Sequence, residues 1–224
     1  ASYILMISGW LSDYSDFFAA GRDIMYDFLD YTTRGGHSLP DFELIPGVYI
    51  ASTDGVERSY RAEESRIVLA LSSKSYQKLF PAAVKCLNEP LFFFLEVPSG
   101  EDFELYYLDN CTLPVILAIL KRYSGILYSD GVIRFGFGSH ITGDELYMRE
   151  YQRLEIYSQK GLDSYKKILD GLGYRHDPGA KTLWDIISED NPISGESVEC
   201  DDESFKDIIE NLAPEGMYKY SQGG

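Results

Sequence analysis

The residues best suited to chemistry lie together in the segment SHITGDE, residues 139–145. His140, Asp144 and Glu145 place an imidazole and two carboxylates within six residues, a combination that could bind a metal ion or transfer a proton. On a helix, the spacing of four would bring His140 and Asp144 to the same side. The glycines at 138 and 143 indicate a hairpin tip in water. We therefore interpret the segment as a binding surface. A small hydrolase or metal-dependent enzyme centred on the three residues is the alternative.

Other enzyme signatures do not fit the sequence. The glycines near the segment follow a strand pattern with no helix after them, so they do not form a phosphate-binding loop. Ser139 precedes His140, but a catalytic triad also needs a third group and an oxyanion donor. The three cysteines, Cys86, Cys111 and Cys200, are far apart and form no CxxC motif. The sequence therefore predicts no catalytic residue, no metal and no cofactor.

The elements that must position these residues are predicted to be mainly strands. Residues 132–137 and 146–157 alternate in the manner of a β-meander, and residues 91–97 pair across a turn with 103–108. Residues 2–8 predict a first strand, and residues 57–66 a charged loop or an irregular helix. The prediction is a single α+β domain over residues 1–215, followed by a flexible tail over 216–224. Its mostly antiparallel sheet of five to seven strands has helices packed on one face.

Helical periodicity appears at both ends of the chain and between the strands. Apolar residues recur at helical spacing from Ser15, over 76–87, from Thr112 to about Gly125, over 162–172 and over 205–212. Pro81 should break or kink the second of these helices, because proline removes an amide and clashes with the preceding turn.

The charge of the chain is its strongest compositional feature. The formal net charge is -16, and residues 185–215 hold eleven acids against Lys206 alone, a net of -10. Such a field would repel nucleic acid and an anionic membrane, whereas it would attract a basic protein. Solubility alone is the competing explanation. In that third interpretation, the protein is a scaffold whose acidity carries no binding role.

The sequence also predicts a cellular compartment. No apolar run approaches the roughly 18 residues that span a bilayer. The odd number of cysteines favours a reducing environment. We therefore expect a cytoplasmic protein without a membrane partner, and the oligomeric state stays open.

Three segments carry a resemblance to a known class of protein. LFFFLEVP at 91–98, YYLDN at 106–110 and RFGFGSHITGDELYMREY at 134–151 resemble immunity proteins of bacterial polymorphic and contact-dependent growth inhibition toxin systems. The resemblance covers residues 91–157. It implies an acidic α+β cytoplasmic protein that binds one cognate toxin domain, for example a nuclease domain, and blocks its basic active site.

Two toxin-binding surfaces are predicted on these grounds. The first is the 139–150 hairpin and the second is the acidic end of the chain around Asp201 to Glu210, where carboxylates would pair with lysines or arginines of the toxin. The predicted toxin-binding residues are Ser139, His140, Asp144, Glu145, Glu150, Glu199, Asp201, Asp202, Glu203 and Asp207. Tyrosine, with 18 residues, would supply buried contacts at such an interface.

Overall fold

The computed structural model describes residues 48–49, 59–70, 73–99, 102–129, 133–149, 153–182, 185, 196–197 and 204–220. All of them belong to a unit that spans Leu44–Gly224. The predicted first strand and first helix lie outside the described residues, so the single-domain boundary of 1–215 stays a prediction. None of the described helices is long and apolar enough to cross a membrane.

A nine-stranded sheet organises the described residues. Its strands are β2 (Ser59–Ala62), β3 (Arg66–Ala70), β4 (Leu91–Ser99), β5 (Asp102–Cys111), β6 (Arg134–Ser139), β7 (Glu145–Arg149), β8 (Arg153–Tyr157), β9 (Arg175–His176) and β11 (Tyr218–Lys219). Their spatial order is β11-β5-β4-β6-β7-β8-β3-β2-β9. Every neighbouring pair is antiparallel except β2 and β9. A separate ladder pairs β1 (Val48–Tyr49) with β10 (Glu196–Ser197).

The described helices pack on one face of this sheet. They are α1 (Ser73–Ala83), α2 (Leu113–Ser129), α3 (Asp163–Gly171) and α4 (Phe205–Leu212). Phe80 of α1 contacts the rings of Phe135 and Phe137 on β6, with centroids 5.3 and 6.1 Å away. Buried residues of all four helices join the same core as the alternate residues of β3, β4, β6, β7 and β8. This side of the sheet is the helix face.

The other side of the sheet, the charged face, carries the remaining residues of the same strands, because successive side chains of a strand point to opposite sides. Two glycines allow aromatic rings to lie close to its backbone. A Cβ at Gly136 would fall 2.3 Å from ring atoms of Phe94, and one at Gly138 would fall 2.2 Å from the ring of Phe92. The glycines in the FGFG motif are therefore required by the neighbouring β4 rings.

The predicted α+β class, with a mostly antiparallel sheet and helices on one face, is confirmed. The strand count is higher than the predicted five to seven, because β9 and β11 add a two-residue strand at each edge. The second of these, Tyr218–Lys219, falls within the predicted flexible tail and pairs with Tyr106 and Tyr107 of β5. Residues 221–224 lie outside the described residues.

Two local predictions were wrong. Residues 59–62 form strand β2 rather than a loop or helix. Helix α2 continues past Gly125 to Ser129, because Ile126, Leu127 and Tyr128 are buried in the core and outweigh the glycine. Helix α1 begins at Ser73 and contains Pro81 in its last turn, and the chain continues as a 3-10 turn over Val84–Cys86. The α-helix therefore ends two residues after the proline, short of the predicted end at residue 87.

Candidate functional site

The hairpin between β6 and β7 is built by Ser139, which is buried rather than available to a partner. Its Oγ donates to the carbonyl oxygen of Asn88 at 2.5 Å and accepts from the amides of Ile141 and Thr142 at 3.3 Å. Gly143 closes the turn with a φ of 69°, a conformation that favours glycine. The predicted binding role of Ser139 therefore becomes a structural role in shaping the turn.

His140 points out of this turn, past β4, towards Asp109 on β5. Its Nε2 lies 3.1 Å from Asp109 Oδ1, and its ring lies 4.8 Å from that of Phe92. Tyr218 of the edge strand β11 donates its hydroxyl to Asp109 Oδ2 at 2.7 Å. That hydrogen bond, together with burial, raises the pKa of Tyr218 to about 12, so the phenol stays protonated at neutral pH. Asp109 therefore holds a histidine from the β6–β7 turn and a tyrosine from strand β11.

Asp144 and Glu145 lie on opposite sides of the sheet. Asp144 is buried against α3, where its Oδ2 accepts the hydroxyl of Tyr165 at 3.1 Å. Burial raises the pKa of Asp144, partly opposed by hydrogen bonds from Ser158 and Tyr165. Glu145 belongs to the charged face, since its pKa responds to the Glu96 and Glu155 carboxylates there. The expectation that the hairpin side chains lie in water is therefore wrong for Asp144.

The enzyme alternative required His140, Asp144 and Glu145 to converge within hydrogen-bonding reach. In the structure His140 contacts Asp109 and Asp144 contacts Tyr165, while Glu145 lies on the other side of the sheet from Asp144. Within the described ranges, no three His, Cys, Asp or Glu side chains are grouped closely enough to hold a metal ion.

Two cysteines also lack the lowered pKa that makes a thiol reactive. Burial raises the pKa of Cys86, and it raises the pKa of Cys111 to about 11.

Of the toxin-binding residues predicted on the second surface, the structure describes Asp207 alone. Asp207 lies in the first turn of α4, and its Oδ2 accepts the amide and hydroxyl of Ser204 at 2.6 and 2.9 Å. These hydrogen bonds lower its pKa and form a capping box at the start of the helix. The other acids, Glu199, Asp201, Asp202 and Glu203, lie outside the described residues, as does Glu150.

An open cleft of about 310 Å³ separates the β4–β5 hairpin from α4. Glu104 is its best candidate for acid or base chemistry. However, hydrogen bonds from Lys219, Tyr106 and Ser99 lower the pKa of Glu104 to about 2. A carboxylate so firmly ionised is a poor proton donor near neutral pH.

The structure does bring together a surface at the end of the sheet, which we call the end patch: Glu89, Asp109, His140, Ile141 and Tyr218. The turn at Glu89 is joined to it because the amide of His140 donates to the Pro90 carbonyl at 3.3 Å. Ile141 is 62% exposed and Tyr218 is 46% exposed. Two apolar or aromatic side chains thus lie beside two carboxylates and a histidine. Asp109 and Tyr218 were missed from sequence because they lie 31 and 78 residues from the hairpin.

The charged face holds a second arrangement that the sequence did not reveal. Glu155 on β8 is almost fully buried, and Arg153, Arg149 and Arg66 lie 2.5, 3.8 and 4.0 Å from its carboxylate. Tyr157 also donates to it. Burial by itself raises the pKa of Glu155, but Arg153, Arg149, Tyr157 and Arg66 together hold it below its ordinary value. The glutamate is therefore ionised inside the protein.

A further pair extends this network across the sheet. Arg134 on β6 lies 3.2 Å from Glu96 on β4, which also accepts the hydroxyl of Tyr147 at 3.1 Å. The guanidinium of Arg134 lies 3.7 Å from the ring centre of Phe103. The sequence signal was the alternation Arg-x-Glu-x-Tyr at 153–157, which puts these three side chains on the same side of the strand.

Comparison of the chain with protein-family models, with curated proteins and with solved structures gave no match. The geometry of the end patch and of the charged face is therefore the ground on which a function is proposed.

Proposed function

We propose that this protein is an immunity protein that binds and neutralises a basic bacterial toxin domain in the cytoplasm, using the end patch. The observation that carries the proposal is the exposure of Ile141 and Tyr218 beside Asp109 and Glu89, in a chain of net charge -16. An isolated surface charge pair contributes only about 0 to 1 kcal/mol, so affinity requires desolvated anchors. Ile141 and Tyr218 are suited to be those anchors, because binding would remove their exposed surface from water.

The acids of the patch supply the chemistry that recognises a basic partner. Asp109 is about one-third exposed and already receives Tyr218 and His140, so its position is fixed before binding. Glu89 accepts the amide of Leu113 at 2.6 Å through Oε1 and is itself exposed. A lysine or arginine of the toxin would therefore meet carboxylates whose rotamers need little ordering, which favours affinity.

The patch also rests on a rigid support. The ring of Phe92 beneath His140 is buried in β4, and Ser139 ties the turn to the Asn88 carbonyl. Strands β4, β5, β6 and β11 all contribute to the support, and β11 is itself paired with β5. Such preorganisation is typical of interfaces that bind a single partner tightly.

The test is co-expression with the protein encoded by the adjacent gene, followed by titration of the two purified proteins. Growth inhibition by the neighbour should be relieved by this protein. Ile141→Asp should weaken binding by at least about thirtyfold, the effect of losing a central hot spot. Leu172→Asp is the matched control, since Leu172 is 38% exposed at the end of α3 and is not part of the patch. It should leave binding unchanged.

Two results would count against the proposal. The first is a neighbouring product that does not inhibit growth, or that inhibits it equally with and without this protein. The second is equal binding by Ile141→Asp and wild type, which would exclude the end patch as the interface.

A further inference from the structure

We propose that the toxin-binding surface continues from the end patch onto the first turn of α2, where Val115 provides a further apolar anchor. This inference rests on the proposed toxin binding, and it adds the kind of surface that the partner presents. That surface carries a lysine or arginine that reaches Glu89, with apolar groups on either side of the cation that cover Val115 and Ile141.

The register of three neighbouring strands brings the start of α2 to the end patch. Cys111, the last residue of β5, pairs with Leu91 at the start of β4, and Leu91 pairs with Ser139 at the end of β6. These three residues form one row across the sheet. The segments beyond the row therefore lie at the same end of the sheet, and they include both the first turn of α2 and the turn that carries Ile141.

Glu89 connects the start of α2 to the hairpin turn. Its Oε1 accepts the amide of Leu113, the first residue of α2, at 2.6 Å. The carbonyl oxygen of the next residue, Pro90, accepts the amide of His140 in the hairpin turn at 3.3 Å. One exposed carboxylate thus lies within reach of both segments.

The exposed apolar surface of the protein is concentrated at this end of the sheet. Four large apolar or aromatic side chains are exposed in the described part of the chain, and three of them, Val115, Ile141 and Tyr218, lie here. Val115 is 41% exposed, almost as much as Tyr218 at 46%. Exposed apolar side chains gathered in one region, with polar groups around them, are typical of a protein–protein interaction site.

The charges near the start of α2 favour a basic partner. Helix α2 contains no acidic residue, and its two cations, Lys121 and Arg122, lie about 9 Å or more beyond Val115 along the helix axis, at 1.5 Å per residue. The charge held at the helix start is therefore that of Glu89. A cation of the partner that pairs with Glu89 would be shielded from water by the apolar contacts on both sides of it, which strengthens such a pair.

The test is the binding of Val115→Asp to the product of the adjacent gene, measured beside Ile141→Asp and Leu172→Asp. Each variant replaces an exposed apolar side chain by one negative charge, so the long-range attraction to a basic partner changes similarly in all three. Val115→Asp should bind at least about tenfold more weakly than wild type, because it loses an apolar contact. Leu172→Asp is the matched control, since Leu172 has a similar exposure of 38%, and it should bind as the wild type does.

A second variant tests the charge. Glu89→Gln keeps an oxygen that can accept the amide of Leu113 but removes the negative charge. It should bind about threefold more weakly than wild type at low salt, and the difference should shrink at high salt, where surface charge pairs are screened. Circular dichroism of each variant checks that it is folded. Should Val115→Asp fail to fold, Val115→Ser takes its place with the same direction of change.

The outcomes separate this inference from the proposed function. Weaker binding by Ile141→Asp together with wild-type binding by Val115→Asp would overturn the inference alone, because the interface would then end at the hairpin. Wild-type binding by Glu89→Gln at low salt would also overturn it. Wild-type binding by both Ile141→Asp and Val115→Asp, or no binding of the neighbouring product at all, would overturn the proposed function and this inference with it.

Discussion

Replacement of Glu145 by glutamine should stabilise the protein by an amount that grows with pH. Glu145 is half-buried on the charged face, directly opposite Tyr157 on β8. Burial and the like charges of Glu96 and Glu155 raise its pKa from 4.5 to about 8. The folded protein thus holds a proton on Glu145 at neutral pH, whereas the unfolded chain releases it.

The sign and size of the effect follow from this difference. Because the folded pKa lies above the unfolded value, the free energy of unfolding falls as pH rises from about 4.5 to about 8, and this contribution is constant above that range. Each pKa unit corresponds to about 1.4 kcal/mol, so Glu145 lowers stability by about 3 kcal/mol at pH 7 and about 5 kcal/mol at pH 9. Glutamine resembles the protonated acid and removes this dependence.

Urea unfolding followed by circular dichroism between pH 5 and pH 9 would measure this pH dependence of the free energy of unfolding. The free energies of unfolding of Glu145→Gln and wild type should be similar at pH 5 and diverge in favour of the variant at higher pH. Glu64→Gln is the control, since Glu64 is exposed in the turn between β2 and β3. A difference between Glu145→Gln and wild type that stays constant across this range would refute the reasoning.

Three further perturbations test the same structure. Glu155→Gln should cost about 3 to 5 kcal/mol near pH 7, because it removes the carboxylate that three buried or half-buried arginines share. Folding lowers the pKa of Glu155, so the loss of stability caused by Glu155→Gln should shrink as pH falls below about 4.5 through the folded pKa. Urea unfolding of the variant and the wild type at pH 3 and pH 7 would measure this change. Gly136→Ala should lower the melting temperature, since its Cβ would lie 2.3 Å from Phe94 and 2.6 Å from the Leu146 carbonyl. By contrast, the Cβ of Gly125→Ala in α2 would meet nothing within 4 Å, so this variant should have a higher melting temperature. Asp207→Ala should lower the free energy of urea unfolding, because it removes the α4 capping box, and an unchanged stability would contradict that role.

Local sequence patterns were sufficient for the elements with strong periodicity. The β4–β5 hairpin, the β6–β8 meander and the helices over 163–171 and 205–212 follow from the spacing of apolar residues and from the turn residues between them. The prediction failed where packing outweighed local preference. Gly125 lies inside α2 because the next three residues, Ile126, Leu127 and Tyr128, gain more by burial than one glycine costs.

The sequence by itself determined the α+β class, the acidity of the chain and the hairpin that carries His140. Only the tertiary structure decided which residues meet. Asp109 and Tyr218 join His140 because β5, β6 and β11 bring their ends to the same edge of the molecule. Arg66, Arg149 and Arg153 surround Glu155 because three strands align in register. A sequence pattern records the side to which each strand residue points, but the pairing of strands distant in the chain, and the burial it produces, depends on the packing of the whole sheet.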